Sequence, residues 1–490
     1  MITATYKGKY YDVEYSIVNV SELEEDLRIG AETYHPEKIK TLSFLNKKAN
    51  GTTIGQYFCL VRELFDPKKS PPRKIRLLEL ENMGNFEIFD IPEVLSTEFD
   101  SNKNIAKFGD VVISRLRPYL RQVGFIYLPE IYTTTELLIL RQKNDELLGI
   151  NYYLYTFLMT KWVQKILFWS QEGVNHPRFP KYILLYCPIP IPSSEFIAVV
   201  KRLMENYFNL RQKAEELYKQ AEEILLKELG LKNWKPETKK IKIGGQEFEE
   251  EGNISIRNLS EVIKANRMDA EYWEPKYDEI EALIKKYKNG YDYLPNLVDI
   301  SKKKIKVNEN EIYYYIELAG ISPNLGVVKQ AKPIKGKDLP SRARMKVKKG
   351  YVLMSSVEGS IDKIALIDFD KDNLVASTGF FVFKERDLYK ETLLVLLKIL
   401  ATKCLVRETQ GTILTAIPYD SLKRIILPRI SIETQQKISR LIQQLFKARE
   451  NSKKLLEIAK RTVEIYIEKN EEEGLNYAKN KLNELNIEIN

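Results

Sequence analysis

The sequence predicts an α/β protein written twice: two tandemly repeated α/β domains joined by two long helices that form an antiparallel coiled coil. Three observations predict this. Five blocks recur in the same order, each copy ends in a long proline-free stretch, and those two stretches carry one heptad pattern in one register.

The repeat decides the architecture. Tyr15–Leu23 recurs as Ile254–Val262 and Arg28–Pro36 as Arg267–Pro275, both 239 residues later. Gly109–Ser114 recurs as Gly350–Ser355 after 241 residues, and Thr135–Leu140 as Thr378–Phe383 after 243. Pro190 and Glu195 return as Pro428 and Glu433 after 238. Coincidental strand-and-turn grammar would not keep both order and offset, and the drift of a few residues is what loops tolerate. The apolar runs behind Gly109 (Val111 to Ile113, after Asp110) and Gly350 (Tyr351 to Met354) read as buried strands; Thr135–Leu140 and Thr378–Phe383 read likewise. The 490 residues then divide into a first body (1–193), a central helix (194–232), a second body (233–430), a distal helix (431–473) and a tail (474–490).

The helical stretches run from Ser194 to Leu229 and from Ile432 to about Glu473. In the first, Val200, Leu203, Tyr207, Leu210, Ala214, Leu217, Ala221 and Ile224 keep a strict three–four spacing, the seam of a coiled coil. The second repeats it as Ile438, Leu441, Leu445, Ala448, Ser452, Leu455, Ala459 and Thr462. Each helix is about 54 Å long at 1.5 Å per residue. Packed antiparallel on one another, they would leave the bodies at opposite ends, related by a half turn; the alternative is that each helix docks on its own body. A further apolar stripe, Met204, Phe208, Tyr218 and Leu225 with Ile442, Phe446, Leu456 and Val463, is wider than a two-stranded coil requires. It is expected to meet a partner subunit, with the chain's own bodies as the other possibility.

Catalytic signatures are missing. There is no phosphate-binding glycine–lysine loop, no dinucleotide-binding glycine loop, no serine elbow, no methyltransferase proline box and no magnesium-nuclease acidic pattern. Cys59, Cys187 and Cys404 lie far apart and only His35 and His176 exist, which excludes ordinary zinc and disulfide frameworks. The opening residues lack a secretory core, and the apolar run from Tyr182 to Ile191 is short and proline-broken. A cytoplasmic protein without a membrane partner is expected. The net charge of +9 permits a nucleic-acid partner.

Taken with their order and duplication, Arg267–Tyr277, Gly109–Arg115, the prolines before the first helix and Leu427–Lys437 resemble the specificity subunits of Type I restriction–modification systems over nearly the whole chain. The resemblance implies two target-recognition domains, each reading one half of a bipartite asymmetric sequence in double-stranded DNA. It also implies helices that bind two methyltransferase subunits, which recruit restriction/translocase subunits. The chain would be non-catalytic and without cofactor, with S-adenosylmethionine, ATP and magnesium on its partners. A partner that fuses methylation and cleavage, a bare coiled-coil scaffold, and a nuclease with an unrecognised site are the other readings. Gly30, where the second copy has Asp269, departs from the pattern.

Base edges are read by Arg, Lys, Asn or Gln on exposed loops, and phosphates by positive charge. Two such readers spaced near one helical turn, about 34–36 Å, could engage one face of a duplex. In the first body the candidates are Arg115, Arg117 and Arg121 in one loop, Gln171, Asn175, His176 and Arg178 in another, and a basic loop of Lys68, Lys69, Arg73 and Lys74. In the second they are Lys303 and Lys304, then Arg342, Arg344 and Lys346, then Gln410, Thr412 and Thr415. Because Arg115 and Arg117 align with Ser356 and Glu358, the two copies cannot make the same contacts.

Overall fold

The computed structural model describes residues 2–7, 12–24, 29–144, 146–236, 239–243, 246–250, 257–410 and 415–487. Thr412, Arg28 and residues 254–256 of the repeat fall outside them. Two compact units emerge, residues 1–211 with 450–490, and residues 212–449.

In the first unit the Gly109 strand, Val111–Ser114, lies between Val123–Phe125 and Leu137–Gln142, with Phe58–Val61 completing an antiparallel sheet. A second sheet runs Leu64–Phe65, Lys103–Lys107, Glu130–Thr133, Lys74–Leu78, Glu93–Leu95, and contains one parallel pair, Glu130–Thr133 with Lys74–Leu78. Val111, Val112, Ile113, Leu138, Ile139 and Leu140 are all buried, so strands expected from unbroken apolar runs are core strands.

The second unit repeats the plan. Val352–Ser355 lies between Ile364–Leu366 and Phe380–Glu385, with Val298–Ser301 outside the latter. Its other sheet runs Lys332–Lys335, Ile312–Ile316, Leu374–Ser377, Ala343–Lys346, again with one parallel pair, Ile312–Ile316 with Leu374–Ser377. Register is kept as well: Val111 faces Leu140 and Val352 faces Phe383. Gly109 and Gly350 open these strands at φ +89° and +86°, a region that favours glycine. Their N–H groups donate to the carbonyls of Ile126 at 2.9 Å and Ile367 at 2.8 Å.

The long helices are Ser194–Glu228 and Ile432–Glu468. Each is opened by a serine one position earlier. Ser193 Oγ accepts from the Phe196 N–H at 3.2 Å, and Ser431 Oγ from the Thr434 N–H at 3.2 Å, satisfying donors that a helix start leaves free. In the first unit the start of the first helix meets the end of the second: the Phe196 and Tyr466 rings are 5.1 Å apart. In the second unit Glu228, at the end of the first helix, lies beside Glu433 and Thr434 at the start of the second. The helices therefore run antiparallel. Val200, Leu203, Tyr207, Leu217, Ile438, Leu445 and Leu455 of the seam are buried, while Leu210, Ile224 and Leu441 are half-buried.

Two expectations are corrected. The second helix stops at Glu468, and Asn470 caps a separate helix, Glu471–Leu485, by accepting from the Glu473 N–H at 2.9 Å. That final helix belongs to the first unit, where Gly474 lies so close to the Phe196 ring and the Thr462 carbonyl that a Cβ would sit 3.0 Å from both. The stripe assigned to a partner subunit is also covered by the chain itself. Met204, Tyr218, Leu225, Ile442, Leu456 and Val463 are buried. Phe208 and Phe446 are half-buried, Phe208 with its ring 5.1 Å from Phe125 and 5.4 Å from Tyr127 of the first body. In the first unit this extra apolar width seats the body: Met204, Leu456 and Val463 share one core with Phe125 and Tyr155.

No helix among the described residues is long and apolar enough to cross a membrane.

Candidate nucleic-acid interface

Two of the predicted loops of the first body meet beyond the Gly109 strand. The Arg117 N–H donates to the Pro177 carbonyl at 2.7 Å, and the Phe179 N–H to the Arg115 carbonyl at 3.2 Å. Glu172 and Arg178 exchange two backbone hydrogen bonds, both 2.8 Å, closing the segment that carries Asn175 and His176 into a small ring. At its tip Val174 is 98% exposed. Arg117 and Arg121 take left-handed φ of +49° and +54°, uncommon for residues with a side chain and a sign that the turn is held by its surroundings.

The same frame recurs in the second body. The Glu358 N–H donates to the Thr415 carbonyl at 3.0 Å and the Ile417 N–H to the Ser356 carbonyl at 2.7 Å. Gln410 and Ala416 exchange backbone hydrogen bonds of 2.8 and 2.9 Å. These are the bonds of the first tip, one for one, through residues 238 to 241 further along.

What differs is the side chains. In the first tip the Arg178 guanidinium grips both oxygens of Glu136, at 3.1 and 2.9 Å. Those hydrogen bonds, with Arg115 nearby, hold the Glu136 carboxyl below the usual range. In the second body Glu136 is replaced by Gly379 and Arg178 by Ala416, and Thr415 donates instead to the Glu358 carboxylate. Glu136 gives no signal in the sequence, because one acid in an apolar block stands out in no pattern. The joint loss of both partners between copies is the signal that could have found it. The Arg115 Nε and Gln171 Oε1 atoms are buried without a hydrogen-bond partner among the described residues.

The basic loop of the first body is tied down. Lys68 pairs with Asp100 at 3.7 Å, Lys69 with Asp66 at 3.5 Å and Lys74 with Glu93 at 3.6 Å. The Arg73 guanidinium bonds the Tyr132 hydroxyl and lies 4.9 Å from the Phe65 ring centre. By contrast, the two basic stretches of the second body come together. The Ile305 N–H donates to the Arg344 carbonyl at 2.8 Å and the Lys346 N–H to the Lys303 carbonyl at 2.9 Å, so Lys303 and Lys304 flank the strand of Arg344 and Lys346. Lys303, Lys304, Arg342 and Lys346 are exposed, and Arg344 is half-buried.

Among the described residues no group of three or more His, Cys, Asp or Glu could hold a metal ion. The three cysteines are free thiols, and burial pushes Cys187 up to about 12.

The fold and its paired tips define a class: two matched α/β bodies carried on an antiparallel helix pair, each presenting one backbone frame with different side chains. Among curated proteins, the chain is similar to the specificity subunit of the Type I restriction enzyme HindI of Haemophilus influenzae, at 34% identity over 112 residues. The match takes 22% of this chain and spans about a quarter, 24%, of that relative. Similar solved structures include the S subunit of a Type I restriction–modification system from M. genitalium, at 13% identity and a TM-score of 0.39, covering 85% of this chain and 94% of that one. The HsdS subunit from Thermoanaerobacter tengcongensis matches at 15% identity and a TM-score of 0.29, over 86% of this chain and 96% of that one. No family model matches the chain. The resemblance read from the sequence and the curated relative point to the same class of protein.

Proposed function

We propose that the chain is the DNA-specificity subunit of a Type I restriction–modification complex, non-catalytic itself, with each body reading one part of a bipartite asymmetric sequence. The observation that carries this reading is the pair of equivalent tips. One backbone frame is held by the same hydrogen bonds in both bodies, yet it presents Arg115, Arg117 and Arg178 in the first and Ser356, Glu358 and Ala416 in the second. A symmetric scaffold has no need of that divergence, whereas two readers of different bases do. On this reading two methyltransferase subunits dock on the helices outside the covered stripe and recruit the restriction/translocase subunits, and these partners bring the S-adenosylmethionine, ATP and magnesium.

The test is a methylome. The chain is expressed with its neighbouring methyltransferase in a host lacking the system, and modified bases are sequenced directly. The expected result is methylated adenine in a two-part motif with a fixed spacer. Exchange of residues 28–190 for those of a homologue should alter one half of the motif and leave the other. A soluble complex that adds no methylation would remove the assignment.

A further inference from the structure

The two bodies match in frame but not in charge. From Lys302 to Lys349 there are thirteen Lys and Arg against four Asp and Glu, an excess of nine that equals the net charge of the whole chain, +9. The equivalent stretch of the first body, Arg62 to Phe108, holds eight basic and nine acidic residues. The whole basic excess of the protein can thus be assigned to one stretch of one body.

The pairing pattern sharpens the contrast. Besides the three lysines of the basic loop, Lys103 meets Glu79 at 2.8 Å and Lys107 meets Glu63 at 2.9 Å, so five of the eight cations in the first stretch sit in ion pairs. In the second stretch Lys303, Lys304, Lys306, Arg342, Arg344 and Lys346 have no acidic partner among the described residues. They are also neighbours. Lys303–Ile305 runs along Ala343–Lys346, whose Ala343 and Met345 are buried while Lys346 points to solvent. Beside them the Lys302 ammonium sits 3.6 Å from the Tyr419 ring centre. Crowding like charges on one sheet edge without counter-ions works against the folded state. Such a patch is suited to a polyanion, which would neutralise it on binding.

We infer that the second body is the phosphate-gripping half of the chain. Its Lys303–Lys306 and Arg342–Lys346 edge supplies most of the salt-dependent affinity for the duplex backbone, while the Lys68–Lys74 loop of the first body, its lysines each beside a carboxylate, adds little of that affinity. This rests on the DNA-reading assignment and adds a division of labour to it. Phosphate contacts fix position without carrying sequence information, so removal of the grip should weaken target and non-target DNA alike.

The experiment uses the chain assembled with its methyltransferase partners. One variant carries Lys303→Gln, Lys304→Gln and Lys346→Gln; the matched control carries Lys68→Gln, Lys69→Gln and Lys74→Gln. All six side chains are exposed, so both assemblies should fold, which a melting curve verifies. Affinity for a duplex bearing the motif and for an unrelated duplex is measured from 50 to 200 mM KCl, about the range over which phosphate-led binding changes most usefully. The slope of log affinity against log salt should fall by about 0.9 for each phosphate no longer neutralised, hence by up to about 2.7 for the first variant. The control should leave the slope within about 0.5 of wild type, and the target preference should hold in both. Equal slopes for variant and wild type, or equal falls in variant and control, would overturn the division of labour while leaving the reading of DNA intact. A wild-type assembly that binds neither duplex would bring down the DNA assignment itself, and the inference with it.

Discussion

Arg211 of the first helix offers the sharpest test of how that helix is fixed to the first body. Its guanidinium donates to Glu87 Oε1 at 3.2 Å, to the Tyr207 hydroxyl at 2.7 Å and to the Ile88 carbonyl. The arginine and glutamate side chains are only 12% and 13% exposed. Burial works against the charge on Arg211, yet Tyr207 and Glu87 hold its pKa above the ordinary arginine value. Replacing Arg211 with Ala would leave the Glu87 carboxylate buried and uncompensated, a loss of about 3–5 kcal/mol. For a unit of this size, about 2–4 °C per kcal/mol, the melting temperature should drop by about 6–20 °C. Calorimetry of R211A, E87Q and the double variant R211M/E87L checks the reasoning. The double variant should recover most of the loss, because a buried pair exchanged for apolar groups of similar volume is close to neutral. A drop below about 2 °C in R211A, or an R211M/E87L variant no more stable than R211A, would refute the anchor.

Three further outcomes concern the tips, the strand openings and the final helix. Glu136→Gln should destabilise by about 0.5–1 kcal/mol at pH 7, because the pair is a third exposed and water screens it. The Arg178 hydrogen bonds hold the folded carboxyl below its ordinary 4.5, so this contribution is fully present above about pH 4.5 and disappears as pH falls through the lower folded value; the melting gap between wild type and variant should close in acid. Gly109→Ala and Gly350→Ala both force a side chain to positive φ, at about 1–3 kcal/mol. Gly109→Ala should be the worse in thermal melts, since its Cβ would lie 3.0 Å from Asn151 Nδ2 whereas that of Gly350 meets nothing nearer than 3.7 Å. Asn470→Ala should remove about 1 kcal/mol of capping and raise hydrogen exchange in residues 471–474 specifically.

The frame was legible because its signals are periodic or chemically forced. Gly109 and Gly350 mark a backbone conformation that favours glycine, the apolar runs behind them mark strands buried on both faces, and the seam marks helices that pack on one another. What stayed hidden is decided in three dimensions. The second sheet of each body is made of strands two to five residues long, too short for alternation to register. The break after Glu468 contains neither proline nor glycine; Asn470 alone caps the next helix, so helical composition runs straight through it. The stripe of Met204 and Leu225 shows apolar width in any helix that touches something, and sequence does not say whether that something is a second chain or the chain's own body. Among the site residues, the loops were found by their arginines and lysines. Whether each cation is taken up by a local acid, as Lys68 is by Asp100, depends on contacts between segments far apart in sequence.

The tips explain how one scaffold can carry two chemistries. In both bodies the bonds that place the loop run from backbone to backbone, so they survive any side chain that does not collide with them. Arg117 and Glu358 have opposite charge yet their N–H groups make the same bond to the facing loop, at Pro177 and Thr415. Arg178 and Ala416 differ by a whole guanidinium yet close the same ring. Where a side chain does contribute, the partner changes with it: the first body has Glu136 and Arg178, and the second has neither but joins Thr415 to Glu358. A tip built this way can exchange its surface chemistry with little effect on the core beneath, whose Gly109 and Gly350 strands are constrained by packing. Grafting Glu136 and Arg178 together into the second body, as Gly379→Glu with Ala416→Arg, should therefore leave the melting temperature within about 2–4 °C of wild type, equivalent to about 1 kcal/mol. Ala416→Arg by itself, lacking the acid, should leave its guanidinium mobile and solvated. If the paired graft unfolded the second unit, the frame would depend on its side chains, and the argument from matched tips would lose its footing.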